Sequence, residues 1–367
     1  MRILLVTRSI NKVLGGLEKQ ILSIAEGLAN LNHQVFIVSL DSGEVKPFYQ
    51  HNEHRNIRWI GLGIGDPSRP ATFQQKLRRQ QSLFRLIKEL DPDVAVSFMI
   101  GAFIYSRFPT LLLRLPLILA ERNSPDIYSL TSAKRFRHLY FLLMMLARRV
   151  TIQFLEYSQK YPAFLQKKLV SIPNAIDNPT FEKKNPSENP VFVYGGRFSF
   201  QKRIDLLVRS FDRYKQLGGR GSLLLFGNGE QESHLHQLVQ TLGIPSVSFH
   251  PPAIDANEVL ERADVNCLLS IWEGFPNFLA EGLKAGIPAL GIRGCDGVSQ
   301  LISDGRNGWL VPIANVEEVA KVMLSVDRLS HLEYQQLSGA AISSVDAYRN
   351  DEIMSRWQRL LGDSSRA

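Results

Sequence analysis

The feature that most constrains this chain is a rhythm. Short runs of β-favouring apolar residues are each followed by a turn and an amphipathic stretch of helical period. Residues 2–7, 35–40, 57–62, 94–98 and 117–120 read as strands, with helices expected over about 17–31 and 73–90. The rhythm then breaks at residues 177–190 (DNPTFEKKNPSENP), which carry three prolines and no period. It restarts with strands expected at 191–194, 222–226, 247–249, 265–269 and 288–291, and helices at 203–217, 231–242, 256–262 and 278–285. Strands alternating with helices predict parallel sheets covered on both faces. The expected fold is therefore α/β: two Rossmann-like, doubly wound parallel-sheet domains facing across a cleft. Residues 1–176 form the first domain, 177–190 a linker and 191–345 the second domain. Residues 346–367, rich in helix formers and containing Trp357, are expected to pack back on the first domain. Open sheets of this kind bind ligands at the carboxyl ends of their strands.

A length of 367 residues is ample for two cores. No apolar run approaches the ~20 residues of a membrane span. Residues 1–6 read as a buried strand rather than a secretory signal. Cys267 and Cys295 are too few for a disulfide framework or zinc cluster and fit a reducing cytoplasm. The net charge of +8 is unevenly spread: residues 1–190 hold 26 Lys+Arg against 15 Asp+Glu, and the remainder 17 against 20. A basic first half points to an anionic partner, whether membrane surface, phosphorylated ligand or nucleic acid, or to a merely solvated basic face. No base-stacking or groove-reading motif accompanies it, so no nucleic-acid partner is expected.

Three segments of the second half carry chemistry suited to an anionic ligand. In Gly195-Gly196-Arg197-Phe198-Ser199-Phe200-Gln201-Lys202, the glycines permit close backbone approach, and Arg197 and Lys202 can grip one diphosphate. Two solvated cations at a helix start would oppose the helix dipole. Gly227-Asn228-Gly229-Glu230 follows an expected strand, and by itself is often only a strand-to-helix turn. The third segment is Trp272-Glu273-Gly274-Phe275-Pro276-Asn277-Phe278-Leu279-Ala280-Glu281. Pro276 suits a first helical turn, whose amides near Asn277 and Phe278 attract phosphate. Glu273 lies before that helix and Glu281 more than a turn inside it, so the two would reach different parts of an elongated ligand. Glu281 is otherwise a surface acid, but its apolar neighbours predict burial, and a buried carboxylate needs a partner such as a ligand hydroxyl.

The Glu273–Glu281 pair within EGFPN, GGRFSFQK, SIPNAID (residues 171–177) and Gly15-Gly16-Leu17-Glu18 resemble the retaining GT-B glycosyltransferases of family 4 over nearly the whole chain. Glu121-Arg122-Asn123 is similar to the branch that builds bacterial surface polysaccharides and lipid-linked oligosaccharides. The resemblance implies that Arg197 and Lys202 bind the donor diphosphate, and Glu281 the ribose. It places Glu273 and the backbone of Phe275, Pro276 and Asn277 around the transferred sugar, with Phe278 also on the donor. It sets Gly196, Gly227 and Gly229 along the donor, with Gly15 and Gly16 closing on its phosphates. Gln300 stands where members commonly carry Glu, and Glu121-Arg122-Asn123 where several carry a catalytic-loop His. Glu121 is either part of that loop's chemistry or a structural carboxylate.

The expected activity is metal-independent transfer of a hexose or N-acetylhexosamine from a UDP-sugar, which is substrate and not cofactor, to a lipid-linked saccharide acceptor. Asp91-Pro92-Asp93 is formally a metal-binding pattern, but it falls in an expected helix-to-strand turn, where both residue types belong anyway. Residues 127–155 contain no acid, while Lys134, Arg135, Arg137, Arg148 and Arg149 flank an apolar centre. Residues 131–149 therefore read as an interfacial helix on the anionic cytoplasmic face of a membrane, as a core helix with basic ends, or as both. The rival activities are a nucleotide-sugar epimerase of the same fold and a non-catalytic, membrane-bound sugar-nucleotide binder. A dinucleotide dehydrogenase is disfavoured, since no Gly-x-Gly-x-x-Gly follows the first strand.

Overall fold

The structure, a computed structural model, describes residues 1–11, 15–41, 54–66, 69, 71–183 and 185–365. It divides into two compact units, Met1–Ala175 with Asn350–Ala367, and Ile176–Arg349.

The first unit is built on β1 (Arg2–Val6), β2 (Gln34–Ser39), β3 (Ile57–Gly61), β4 (Val94–Phe98), β5 (Leu117–Ala120), β6 (Arg149–Ile152) and β7 (Leu169–Ser171). They form one parallel sheet in the order β3-β2-β1-β4-β5-β6-β7. β1 and β4 read as continuous apolar runs because both faces are covered, with Leu4 level with Phe36 on one side and Ala95 on the other. On one face, Ile3, Leu5, Val94, Val96 and Ile118 share a core with Ile21, Ile24 and Leu28 of the helix Gly16–Asn30. The same core takes Ile353, Met354, Trp357 and Leu361 from the C-terminal helix Asn350–Ser364. Gly27 makes that packing possible, since a Cβ there would lie 2.3 Å from the Met354 sulfur.

The second unit holds β8 (Val191–Gly195), β9 (Ser222–Phe226), β10 (Val247–His250), β11 (Val265–Leu268), β12 (Ala289–Ile292) and β13 (Gly308–Val311). These strands are also parallel, in the order β10-β9-β8-β11-β12-β13. The helix Ile204–Gln216 shows why this half folds so: Ile204, Leu207, Val208, Phe211 and Tyr214 recur at helical spacing and all are buried. Chain order reverses between β8 and β11, which makes their carboxyl ends the switch point where such sheets bind ligands.

Two expectations are corrected. Residues 177–190 are not a free linker but part of the second unit. Lys183 N–H donates to the Ala285 carbonyl at 2.8 Å, and the buried Asp264 carboxylate accepts from the backbone of Ser187 and Val191. Residues 131–149 are not one helix. A 3-10 turn, Ser132–Phe136, leads into the two-turn helix Arg137–Met144, and Arg149 already begins β6. No helix of the described residues is long and apolar enough to cross a membrane.

Candidate functional site

Three loops at the switch point of the second unit are laced together through their backbones. After β8 the chain turns at Gly196, at φ +151°, whose N–H donates to the Phe226 carbonyl. Phe198 N–H donates to Asn228 O at 2.7 Å, and Gln231 N–H to Phe198 O at 3.0 Å. The loops after β8 and β9 thus lie backbone against backbone, and this gives the glycines of Gly227-Asn228-Gly229 a structural reason. A Cβ on Gly227 would sit 1.9 Å from the Gly196 carbonyl oxygen, and one on Gly229 2.4 Å from that of Phe198. Both also hold φ above +150°, where side chains are strained. Expected as ligand contacts, these two glycines are required first for the loops to meet.

The third loop, after β11, is tied to the first. Ile271 N–H donates to Gln201 O at 2.9 Å, and the Gln201 side chain donates to Trp272 O at 2.6 Å. That lacing brings Lys202 onto Glu273, with Nζ 2.6 Å from Oε1. The Glu273 side chain is only 7% exposed and that of Lys202 21%, so the carboxylate is nearly sealed from water while the ammonium keeps a solvent-facing side. Arg197, on the same first loop, is exposed. Pro276 is the cap rather than the first residue of the helix Asn277–Lys284, and no side chain caps that end. Phe275 is buried edge-on against Tyr348, and Phe278 lies over Gly195, where a Cβ would meet its ring at 2.6 Å. Asn277 is half-buried at the helix start, and so is Glu281 in the next turn; burial of Glu281 is only partial.

Two contributors left no sequence signal. Asn266 on β11 is buried and donates to the Phe278 carbonyl at 2.8 Å, which fixes the helix start relative to the sheet. Cys295 sits near Glu273 and Lys202, and burial first, then the Glu273 charge, pushes its thiol up to about 12, so it stays protonated and inert. Gln300 caps the short helix Asp296–Ser299 beside them.

In the first unit, Glu121-Arg122-Asn123 follows β5. Glu121 is fully buried, accepts 2.6 Å from the Tyr128 hydroxyl and 3.2 Å from the Asn123 N–H, and its pKa is raised because burial outweighs those bonds. Arg122 is pulled down to about 10 by burial, against the opposing pull of Glu121. Its guanidinium donates to Ile172 O at 3.0 Å and to the Thr151 hydroxyl, and stacks 5.4 Å from the Trp357 ring. It thereby joins β6, the residues after β7 and the C-terminal helix. Asn123 is half-buried at the edge of this cluster.

Gly15, in extended conformation, caps the helix Gly16–Asn30, where Gly16 is the first residue. Ser9 and Ile10 are held by Asp41, a buried carboxylate that accepts from the Ser9 hydroxyl and the Ile10 N–H, and nothing in the spacing flagged this residue. Asp91 and Asp93 do form the expected turn: Asp91 caps a helix at φ +39°, and Asp93 accepts from Arg2 N–H at 2.7 Å. Among the described residues no three His, Cys, Asp or Glu side chains are grouped so as to hold a metal ion.

The basic segment is split by the fold. Phe141, Met144 and Ala147 are buried, while Phe136, Leu139, Leu142 and Leu146 face out. Lys134, Arg135, Arg148 and Arg149 are exposed around them, and Arg137 is half-buried. Arg149 also donates to the Lys167 carbonyl at 3.0 Å. The apolar centre is therefore core on one side and open surface on the other.

Comparison with known proteins bears on both units. Residues 14–178 match the family described as Glycosyltransferase Family 4, and residues 176–341 the family described as Glycosyl transferases group 1. An uncharacterized glycosyltransferase of Haemophilus influenzae is 26% identical over 95% of this chain and 96% of its own. The Campylobacter jejuni GalNAc-alpha-(1->4)-GalNAc-alpha-(1->3)-diNAcBac-PP-undecaprenol alpha-1,4-N-acetyl-D-galactosaminyltransferase is 25% identical over the full length of both chains. In fold, the chain resembles Anabaena HepE solved with UDP-glucose, at a TM-score of 0.77 and 16% identity over 99% of this chain and 100% of that one.

Proposed function

The chain belongs to the family 4 glycosyltransferases of the GT-B fold, and on that premise we propose that it moves a hexosyl or N-acetylhexosaminyl group from a UDP-sugar to a lipid-linked saccharide. One observation carries the donor side: Lys202 and Glu273 are in contact at 2.6 Å, Lys202 on the loop that also carries Arg197 and Glu273 on the loop that leads into the helix Asn277–Lys284, whose start no side chain caps. Two cations and a helix N-terminus are what a departing diphosphate needs, because the new negative charge must be met as the bond from the anomeric carbon to the phosphate oxygen breaks. Lys202 and Arg197 hold the diphosphate, and Glu281 the ribose. Glu273 orients Lys202 and accepts hydroxyls of the transferred sugar. An acceptor hydroxyl attacks the anomeric carbon on the face the diphosphate leaves, and its proton passes to the leaving phosphate oxygen, so configuration is retained. No metal takes part in this scheme, since the side chains supply the positive charge.

The acceptor reading is supported by the Campylobacter relative, whose own acceptor is undecaprenyl-linked, and by the basic, apolar surface of the first unit. On this reading the protein works at the cytoplasmic face of an anionic membrane, with Lys134, Arg135, Arg137, Arg148 and Arg149 toward the lipid. A thermal-shift panel of UDP-, GDP- and ADP-sugars, with and without EDTA, tests the donor side. It is followed by proton NMR of the anomeric product. Stabilisation by UDP-sugars, EDTA-insensitive turnover and a retained anomer are expected. Activity lost in EDTA and restored by Mg²⁺ or Mn²⁺ refutes the metal-free scheme, and an inverted anomer refutes the same-face course.

A further inference from the structure

The second unit carries a cleft of about 510 Å³ at the end of its sheet away from the donor loops. β13 is an edge strand, and Gly305 and Arg306 precede it. In a parallel sheet they therefore lie opposite the carboxyl ends that carry the loops after β8, β9 and β11. One wall is formed by these residues with Trp309 of β13. The other is the helix His331–Ser344, where Glu333, Gln336, Leu337 and Ala340 share a face by their spacing. The polar groups just behind the cleft are matched within the protein: Asp304 accepts from Arg293 and from Leu310 N–H, and Asn307 bonds Leu301, Ser303 and Ser344. Those lining it are not. The side chains of Arg306, Trp309 and Gln336 make no hydrogen bond or ion pair to any described residue. Trp309 is half-buried with its indole N–H open to solvent, whereas that of Trp357 is sealed. One carboxylate oxygen of Glu333 accepts from the Ser330 N–H and hydroxyl, at 2.8 and 2.7 Å, which leaves the other for a ligand.

This lining selects a ligand by its chemistry. One cation and one acid leave the wall without net charge, so neither an anion nor a cation is favoured. A guanidinium, an indole N–H, an amide and a carboxylate oxygen present donors and acceptors side by side, and a neutral polyol satisfies both kinds. The indole ring, with Leu329, Leu337 and Ala340, adds apolar surface, which suits a polyol that also has a face of C–H bonds. A pyranose ring has that face and carries its hydroxyls around the rim. We propose that this cleft binds a neutral oligosaccharide, with a pyranose ring laid on Trp309 and its hydroxyls on Arg306, Gln336 and Glu333. Being at the other end of the sheet, the site uses no residue of the donor loops. It holds glycan that is not at the reacting centre, and UDP and saccharide occupy the second unit together.

The test screens the full chain, saturated with UDP, against an array of neutral and acidic oligosaccharides built from hexoses and N-acetylhexosamines. The strongest binder is then titrated by fluorine NMR of protein labelled with 5-fluorotryptophan, whose four resonances include Trp272 beside the donor loops and Trp309 in the cleft. A neutral oligosaccharide should bind with UDP present and shift the Trp309 resonance. Its affinity should fall about tenfold or more in Trp309→Ala and in Arg306→Ala/Gln336→Ala, while UDP affinity is unchanged in both. The double variant removes side chains that bond nothing in the protein, so it gives the answer even where Trp309→Ala does not fold. A wild type that binds UDP and no oligosaccharide overturns the proposal. So does binding that ignores both variants, or that shifts Trp272 and leaves Trp309 in place. Binding confined to acidic saccharides and lost with Arg306 makes the cleft an anion site and overturns it as well. If the saccharide binds as expected but no sugar is transferred to any acceptor, the cleft stands and the transferase reading fails.

Discussion

Replacing Lys202 by Met removes the cation from a carboxylate that is 93% removed from solvent and 2.6 Å away. Breaking a buried pair from one side costs up to about 3–5 kcal/mol, because the surviving charge stays buried with its strongest cation gone. A fifth of the Lys202 side chain is exposed, so water can reach part of the gap and the low end applies, about 3 kcal/mol. For a domain of this size each kcal/mol moves the midpoint by about 2–4 °C, which places the loss at about 6–12 °C. Differential scanning calorimetry of Lys202→Met, Glu273→Gln and the double variant reads it directly. Glu273→Gln keeps the shape and discards the buried charge, so the double variant should recover more than half of what Lys202→Met loses. UDP affinity should separate the partners: Lys202→Met weakens it, while Glu273→Gln, which takes a negative charge away from the diphosphate, does not. A Lys202→Met midpoint within about 2 °C of wild type, or a double variant no better than the single, refutes the reasoning.

Gly229→Ala should lower the unfolding midpoint and UDP affinity together, by about 1–3 kcal/mol in stability, since its Cβ meets the Phe198 carbonyl at φ +154°. Gly339→Ala, in a helix with open space around it, should instead stabilise by about 0.5–1 kcal/mol; chemical denaturation measures both. Tyr128→Phe removes a donor to Glu121 and raises further a pKa that burial already raises. Protonated Glu121 favours the fold, so the cost of the variant should be small at pH 4 and grow as pH rises through the raised Glu121 pKa, which urea titrations across pH would show. Changing Lys134, Arg135, Arg148 and Arg149 together to Gln should abolish flotation with anionic vesicles at low salt, at about 1 kcal/mol per residue, and spare UDP binding.

Much of this molecule is legible in the sequence because its strands are buried on both faces. β4 and β5 match their expected spans residue for residue, and β1, β2 and β3 fall within one residue at each end. β6, β7 and β13 escaped. β6 begins at Arg149, directly behind an apolar run of helical composition, and β7 is three residues long beside Lys167 and Lys168. Each becomes a strand through pairing with a distant neighbour, which no local window contains. The same holds at the site. The residue types around residues 197, 202 and 273 announce an anion, but the salt bridge between Lys202 and Glu273 depends on two loops meeting at the switch point of a sheet. Glycines 227 and 229 are readable as glycines, yet the reason for them is a neighbouring backbone. Arg122 and Trp357, far apart in the chain, stack only because the last helix returns to the first unit.

The most direct test of the transferase account is mass spectrometry of a polyprenyl-diphosphate-linked saccharide incubated with the purified protein and each UDP-sugar in turn. The account predicts that one UDP-sugar yields a product heavier by a single hexosyl or N-acetylhexosaminyl unit, with UDP released in equal amount, and that Arg197→Ala and Lys202→Ala each slow this by ~10²-fold or more. An unchanged acceptor, with the UDP-sugar recovered intact or as its epimer, would contradict it.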